Sequence, residues 1–91
     1  MLSFSPVDLN KVARGDLDKE ILRLGIIAEL DAVSLYEQLG AKTRDKKIKE
    51  ILLDIAKEEK THVGEFQALL LERDGEQVRE LEAGKREVQG M

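Results

Sequence analysis

The chain contains no cysteine, which excludes disulfide scaffolds, thiolate zinc sites and a rubredoxin-like iron centre. Any metal chemistry must therefore use oxygen and nitrogen donors. Tryptophan is absent and aromatic residues are 3% of the chain, so the apolar content rests on Leu, Ile, Val and Ala, the profile of an all-helical protein with aliphatic seams. A basic balance is also missing. The net charge of −4 and the pI near 5.0 exclude a nucleic-acid binder and suit a protein that gathers cations. No hydrophobic run is long enough to span a membrane, and the opening Met1-Leu2-Ser3-Phe4-Ser5-Pro6 lacks the charged and apolar regions of a signal peptide. A cytoplasmic location is the expectation. Abundant Lys and Glu beside the single asparagine, Asn10, lean toward hyperthermophile composition.

What remains describes one small domain over residues 1–91, too short to hide all of its apolar surface alone and therefore expected to self-associate. Pro6 and Gly15 bracket an irregular lead-in over residues 1–15, to which no function is given. Asp16 is placed to cap a first helix running from near Leu17 to near Gly40 or Ala41, with Asp18 and Glu20 in its first turn. Thr43 or Asp45 can cap a second helix reaching about Arg73, where Asp74-Gly75 closes it. Residues 17–73 then form a hairpin of two antiparallel helices, each roughly 35 to 45 Å long. Residues 76–91 supply a short third helix, Glu76 to about Leu81, and a polar tail from Gly84.

Charged side chains interrupt both apolar stripes of this hairpin. On the first helix Leu22, Ile26, Val33 and Tyr36 share a face with Glu29; on the second, Ile48, Leu52, Ile55, Phe66 and Leu70 share one with Glu59, and His62 lies beside it. An unpaired carboxylate in such a seam costs several kcal/mol, so a compensating partner is required, and a metal ion is the most economical one. Glu29 lies fourteen residues before Thr43 and Glu59 sixteen after it, so the two meet at one level of the hairpin. A Glu facing a Glu-x-x-His is half of the ligand set of ferritin-like di-iron carboxylate proteins. A second copy related by a two-fold axis would bring two each of Glu29, Glu59 and His62 to one locus, a site for two metals at a dimer interface. Tyr36, on the Glu29 face, either hydrogen-bonds a ligand carboxylate from behind or packs as a ring. Glu37, Asp54, Glu58 and Glu65 read as solvated charges. Other apolar residues of the first helix, among them Ile21, Leu24, Ala28, Leu35 and Leu39, spread beyond the Glu29 face and call for more than one neighbour. Gly25, near the seam, can let a helix approach closely, whereas Gly64 lies on the far side of its helix.

The runs Ile27-Ala28-Glu29-Leu30-Asp31-Ala32-Val33, Tyr36-Glu37-Gln38 and Ala56-Lys57-Glu58-Glu59-Lys60-Thr61-His62-Val63 resemble the encapsulated ferritins, a short ferritin-like family housed inside encapsulin shells. The likeness covers roughly residues 17–83. It implies a two-helix protomer with a short C-terminal helix, a ferroxidase centre formed on dimerisation, and a ring-like decamer of five dimers. By matching positions Glu29, Glu59 and His62 would be the iron ligands, with Glu59 bridging and Tyr36 close by, and Asp31 falls at an additional acidic metal site. Asp31 is about 160° from Glu29 round the helix and would face another surface. Leu35 stands where well-known members carry an aromatic, and Ala28 replaces an acidic residue. The stretch Glu82 to Met91 does not look like a shell-targeting peptide, which leaves fusion to the shell protein as the expected route into the compartment.

The expected fold is all-α, a ferritin-like four-helix bundle completed by dimerisation. The expected function is oxidation of Fe²⁺ by dioxygen at the shared di-iron site, feeding iron storage inside an encapsulin nanocompartment. Two readings compete with it. One is a rubrerythrin-like peroxide reductase; the other is a non-catalytic dimerisation or adaptor module whose Glu59 and His62 are salt-bridged.

Overall fold

The computed structural model describes residues 8–91, and among them every regular element is helical. Two short 3₁₀ turns, Leu9–Lys11 and Arg14–Asp16, lead into α1 (Leu17–Lys42), α2 (Lys46–Leu71) and α3 (Gly75–Gln89). The part of the lead-in before Asp8, with Pro6, lies outside the described residues.

The three-residue link between α1 and α2 is built from side-chain caps. Thr43 returns its N–H to the Leu39 carbonyl at 3.1 Å and accepts the Asp45 N–H on Oγ1 at 3.2 Å, while Asp45 Oδ1 accepts the Ile48 N–H at 2.9 Å. Those bonds satisfy end groups that a helix leaves without partners and force α2 back along α1. Phe66 lies flat against the bare Cα of Gly25, where an added Cβ would meet the ring at 3.4 Å, and Gly40 is closer still to Leu53, at 3.0 Å. Both glycines thus let the helices approach. Gly64, by contrast, opens on empty space.

Asp16 does not cap α1. Its own backbone is helical (φ −107°, ψ 0°) because Arg14–Asp16 winds directly into the helix, and a capping side chain reaches the first turn only from an extended residue. It pairs instead with Lys19 at 3.3 Å. The third helix does not stop near Leu81 but continues through Gly84 to Gln89. One exposed glycine costs only about 1 kcal/mol, and the good helix formers around it, Glu80 to Glu82 and Lys85 to Glu87, outweigh that. Glu37 is not simply solvated either; it crosses the hairpin to Lys60 at 2.8 Å.

Asp74 joins α3 to the hairpin. Its Oδ1 accepts the Gln77 N–H at 3.0 Å and its Oδ2 takes the Arg23 guanidinium at 2.9 Å, with Glu20 holding the other side of Arg23 at 2.6 Å. The Gln77 hydrogen bond, helped by Lys19 and Arg23, holds the Asp74 carboxyl below the usual carboxylate range. Glu20 and Asp74 in turn raise the Arg23 guanidinium.

The core of one chain is small. Among the described residues Leu22, Val33, Ala56 and Leu70 are the buried apolar ones, whereas Ile48, Ile51 and Leu30 are 52%, 62% and 52% exposed. The chain presents 7200 Å² to solvent, against about 5,400 Å² for a compact monomer of this mass. Its radius of gyration of 16.2 Å likewise exceeds the ~12 Å of a compact domain.

Two outcomes test these contacts. Since the Asp74 carboxyl is held low in the folded state, its contribution is present above the unfolded carboxylate pKa and is lost as pH falls through the folded value. Protection of the Gln77 and Val78 amides against exchange, relative to their intrinsic rates, should fall below about pH 4, and Asp74→Ala should lower it at neutral pH. Gly64→Ala should stabilise the isolated chain by about 1 kcal/mol in urea unfolding, because the new methyl meets nothing.

Candidate metal centre

Glu29 stands near the midpoint of α1, and Glu59 and His62 lie one turn apart near the midpoint of α2. Folding the hairpin brings the three together: one ligand atom from each lies within 4.8 Å of the others, and no other such group of three or more occurs among the described residues. His62 Nδ1 is 3.3 Å from Glu59 Oε2 and 3.6 Å from Glu29 Oε2. The Glu29 and Glu59 side chains are 21% and 19% exposed, and His62 is 44% exposed.

The three groups do not satisfy one another. One imidazole nitrogen confronts two carboxylates, so at most one can accept its proton, and Glu29 Oε2 is buried with no hydrogen-bond partner. A buried acceptor left unmade costs about 1–3 kcal/mol, more when charged. A cation placed among the three removes that penalty, and two oxygens with one nitrogen suit Fe, Mn, Co or Zn. The residues present therefore fit a metal ion. Three donors also leave coordination positions open, on the side where Glu29 and His62 border a groove with Glu65, Phe66 and Leu69.

The other expected residues stand apart. Tyr36 is half-buried two turns from Glu29, about 10 Å along the axis, and its hydroxyl makes no hydrogen bond among the described residues. Asp31 is half-buried on α1 and takes no part in the group. The sequence reading missed the Glu20–Arg23–Asp74 network. Glu20 and Arg23 are visible as an i, i+3 pair, but the link from Arg23 to Asp74 spans 51 residues and has no local signal. It also missed the groove under α3, lined by Arg23, Ile26, Ile27, Gln67, Leu70 and Leu81 among others.

An antiparallel helix pair with a Glu on one helix and Glu-x-x-His on the other defines a ferritin-like carboxylate half-site. The rubrerythrin family profile matches residues 20–89. The chain is 53% identical over 90 residues to a ferritin-like–encapsulin shell fusion protein of Pyrococcus furiosus, an alignment covering 97% of this chain. It superimposes on the crystal structure of an encapsulated ferritin domain from Pyrococcus furiosus with a TM-score of 0.86 at 50% identity, covering 100% of this chain and 95% of that one. The chain belongs to the rubrerythrin family of ferritin-like proteins and, within it, to the encapsulated ferritins. It spans 26% of the length of the fusion protein it matches. No helix among the described residues is long and apolar enough to cross a membrane.

Because the Glu29 carboxylate is under-satisfied, Glu29→Leu should stabilise the metal-free chain by about 1–2 kcal/mol in urea with a chelator present, while abolishing the extra stability that added Zn²⁺ gives the unmodified chain. Equal or lower stability of the metal-free variant would show that Glu29 is already compensated.

Proposed function

We propose that the chain is the ferroxidase part of an iron store: it binds Fe²⁺ at Glu29, Glu59 and His62, completes a two-iron site with the same residues of a second copy, and oxidises the iron with dioxygen. The observation that carries this is the convergence of three donors on a buried carboxylate oxygen that no protein group satisfies. A single chain supplies three donors, too few to hold two ions, and its exposed aliphatic side chains call for a partner. An isologous dimer answers both needs.

In this reading iron is the substrate. Two Fe²⁺ would give one electron each to a dioxygen, which takes up two protons and leaves as hydrogen peroxide, and carboxylates would keep binding as the ions become Fe³⁺ because they are hard anionic donors. Glu29 and Glu59 would supply the negative charge that favours the higher oxidation state, with Glu59 the bridging ligand that the family resemblance implies. His62 would bind as a neutral donor, through the lone pair of an imidazole nitrogen. The aliphatic seam around them limits water, and the groove beside His62 leaves room for dioxygen. Tyr36 and Asp31 are assigned lesser parts, Tyr36 as a hydrogen-bond donor near the completed site and Asp31 as a separate acidic cation site on another face.

Similarity to a ferritin-like–encapsulin shell fusion protein supports delivery of Fe³⁺ to the interior of an encapsulin compartment in the cytoplasm, with this chain as the oxidising part of such a fusion. A hairpin encloses no cavity of its own, so the mineral must be held elsewhere. A ring of five dimers is the assembly expected by resemblance.

Anaerobic Fe²⁺ titration followed by air tests the reading. Binding should saturate near one iron per chain, ferric absorbance should rise well above the buffer rate, and native mass spectrometry should show dimers or rings. Glu59→Ala should reduce oxidation to the buffer rate. Unchanged oxidation in that variant, or faster turnover of peroxide than of dioxygen, would replace this reading with a non-specific surface reaction or a peroxide reductase.

A further inference from the structure

One turn beyond His62, α2 carries a further acid that borders the same groove, Glu65. Glu59, His62 and Glu65 follow one another at i, i+3 spacing, a Glu-x-x-His-x-x-Glu run. Side chains of an α-helix lean over the turn that precedes their own, so His62 leans over Glu59 and Glu65 leans over His62. The first of these two relations is visible in the 3.3 Å approach of His62 Nδ1 to Glu59 Oε2.

The second relation concerns the other ring nitrogen. His62 turns Nδ1 to Glu29 and Glu59, and among the described residues its Nε2 makes no hydrogen bond. Glu65 makes none there either, and no ion pair. Its neighbours one turn away on α2 are Thr61, His62, Ala68 and Leu69, so no lysine or arginine competes for it within the helix. A ring nitrogen without a partner and a carboxylate without a partner therefore border one groove, whose remaining wall includes Phe66 and Leu69. Tautomerism gives that pairing a purpose. In the metal-free chain the two carboxylates at Nδ1 favour the tautomer with the proton on Nδ1, which offers no lone pair at the site. Binding a metal through Nδ1 moves the proton to Nε2, where it needs an acceptor.

We propose that Glu65 is a positioning residue for the metal centre: its carboxylate accepts the Nε2–H of His62 and holds the imidazole in the tautomer whose Nδ1 lone pair faces the two ligand carboxylates. The inference rests on the metal reading of Glu29, Glu59 and His62 and adds no ligand to that set. A carboxylate behind a metal-bound imidazole fixes the orientation of the ring and raises its basicity, an effect worth roughly ten- to a hundredfold in metal affinity. Glu65 is exposed, so water competes for the bond and the lower figure applies.

His62 is the only histidine of the chain, so every imidazole signal belongs to it. In the ¹⁵N-labelled chain titrated with Zn²⁺, long-range ¹H–¹⁵N correlation should show Nδ1 metal-bound and Nε2 protonated, with the Nε2–H proton downfield and slow to exchange with water. Glu65→Ala should lose that protected proton and weaken Zn²⁺ binding about tenfold. Glu65→Gln, whose amide oxygen still accepts, should recover the proton signal and most of the affinity. Because Glu65 is exposed and alanine is the better helix former, the alanine variant keeps its fold. Unchanged affinity and proton signal in Glu65→Ala overturn the positioning role, as does Zn²⁺ bound through Nε2. A Glu65→Gln variant no better than Glu65→Ala also overturns it, showing that Glu65 acts through charge alone. Each of these results leaves the metal site standing, whereas Zn²⁺ that shifts neither ring nitrogen overturns the site and the positioning role together.

Discussion

A carboxylate oxygen that no hydrogen reaches is among the least tolerable groups in an aliphatic seam, and Glu29 Oε2 is such an atom. The surrounding structure makes sense as a means of holding it there. α1 and α2 press together through the bare Cα of Gly25 under Phe66 and of Gly40 against Leu53. That closeness brings the Glu59 and His62 donors to Glu29, and among the described residues no lysine or arginine pairs with them. The cation has to come from outside. Lys60, next to Glu59 in sequence, pairs with Glu37 across the hairpin surface.

The same scarcity of internal compensation extends to the apolar surface. Four buried aliphatic residues cannot balance the conformational entropy of ordering this chain, and side chains such as Ile51 and Leu30 remain exposed on faces of the hairpin that α3 does not cover. In the proposed dimer, metal and partner would be coupled: an ion held by donors from two copies would reward association, and association would dry the groove at His62 and strengthen every charge–metal contact within it. α3 is held differently, through an ion pair and a cap at Asp74.

Much of this was legible in the residue order because the helix repeat is a strict ruler. Glu29, Glu59 and His62 stand where apolar residues are due, and the distance of each from the turn puts them at one height. The caps at Thr43 and Asp45 were legible for a related reason, since both act on their immediate neighbours. The misreadings share a cause as well. Gly84 resembles a helix end only when its neighbours' propensities are ignored, and Asp16 resembles a cap only if the preceding residues are taken as extended. The Glu37–Lys60 and Arg23–Asp74 pairs depend on which surfaces of separate helices come to face one another, and no local pattern records that.

Placing the ligands at the midpoints of two helices of equal length has a consequence for how so short a chain can serve a two-metal site. A two-fold axis lying across the helices keeps contact along the whole seam only when it passes near their middle; with such an axis, ligands near one end would force the partner to overhang, exposing apolar surface in proportion to the offset. With Glu29 and Glu59 central, the position that best buries the two seams is also the position that superimposes the donors. Hydrophobic burial and metal ligation then favour one register, and neither must be weakened to serve the other. In the proposed dimer the missing half of the bundle is the same half turned round.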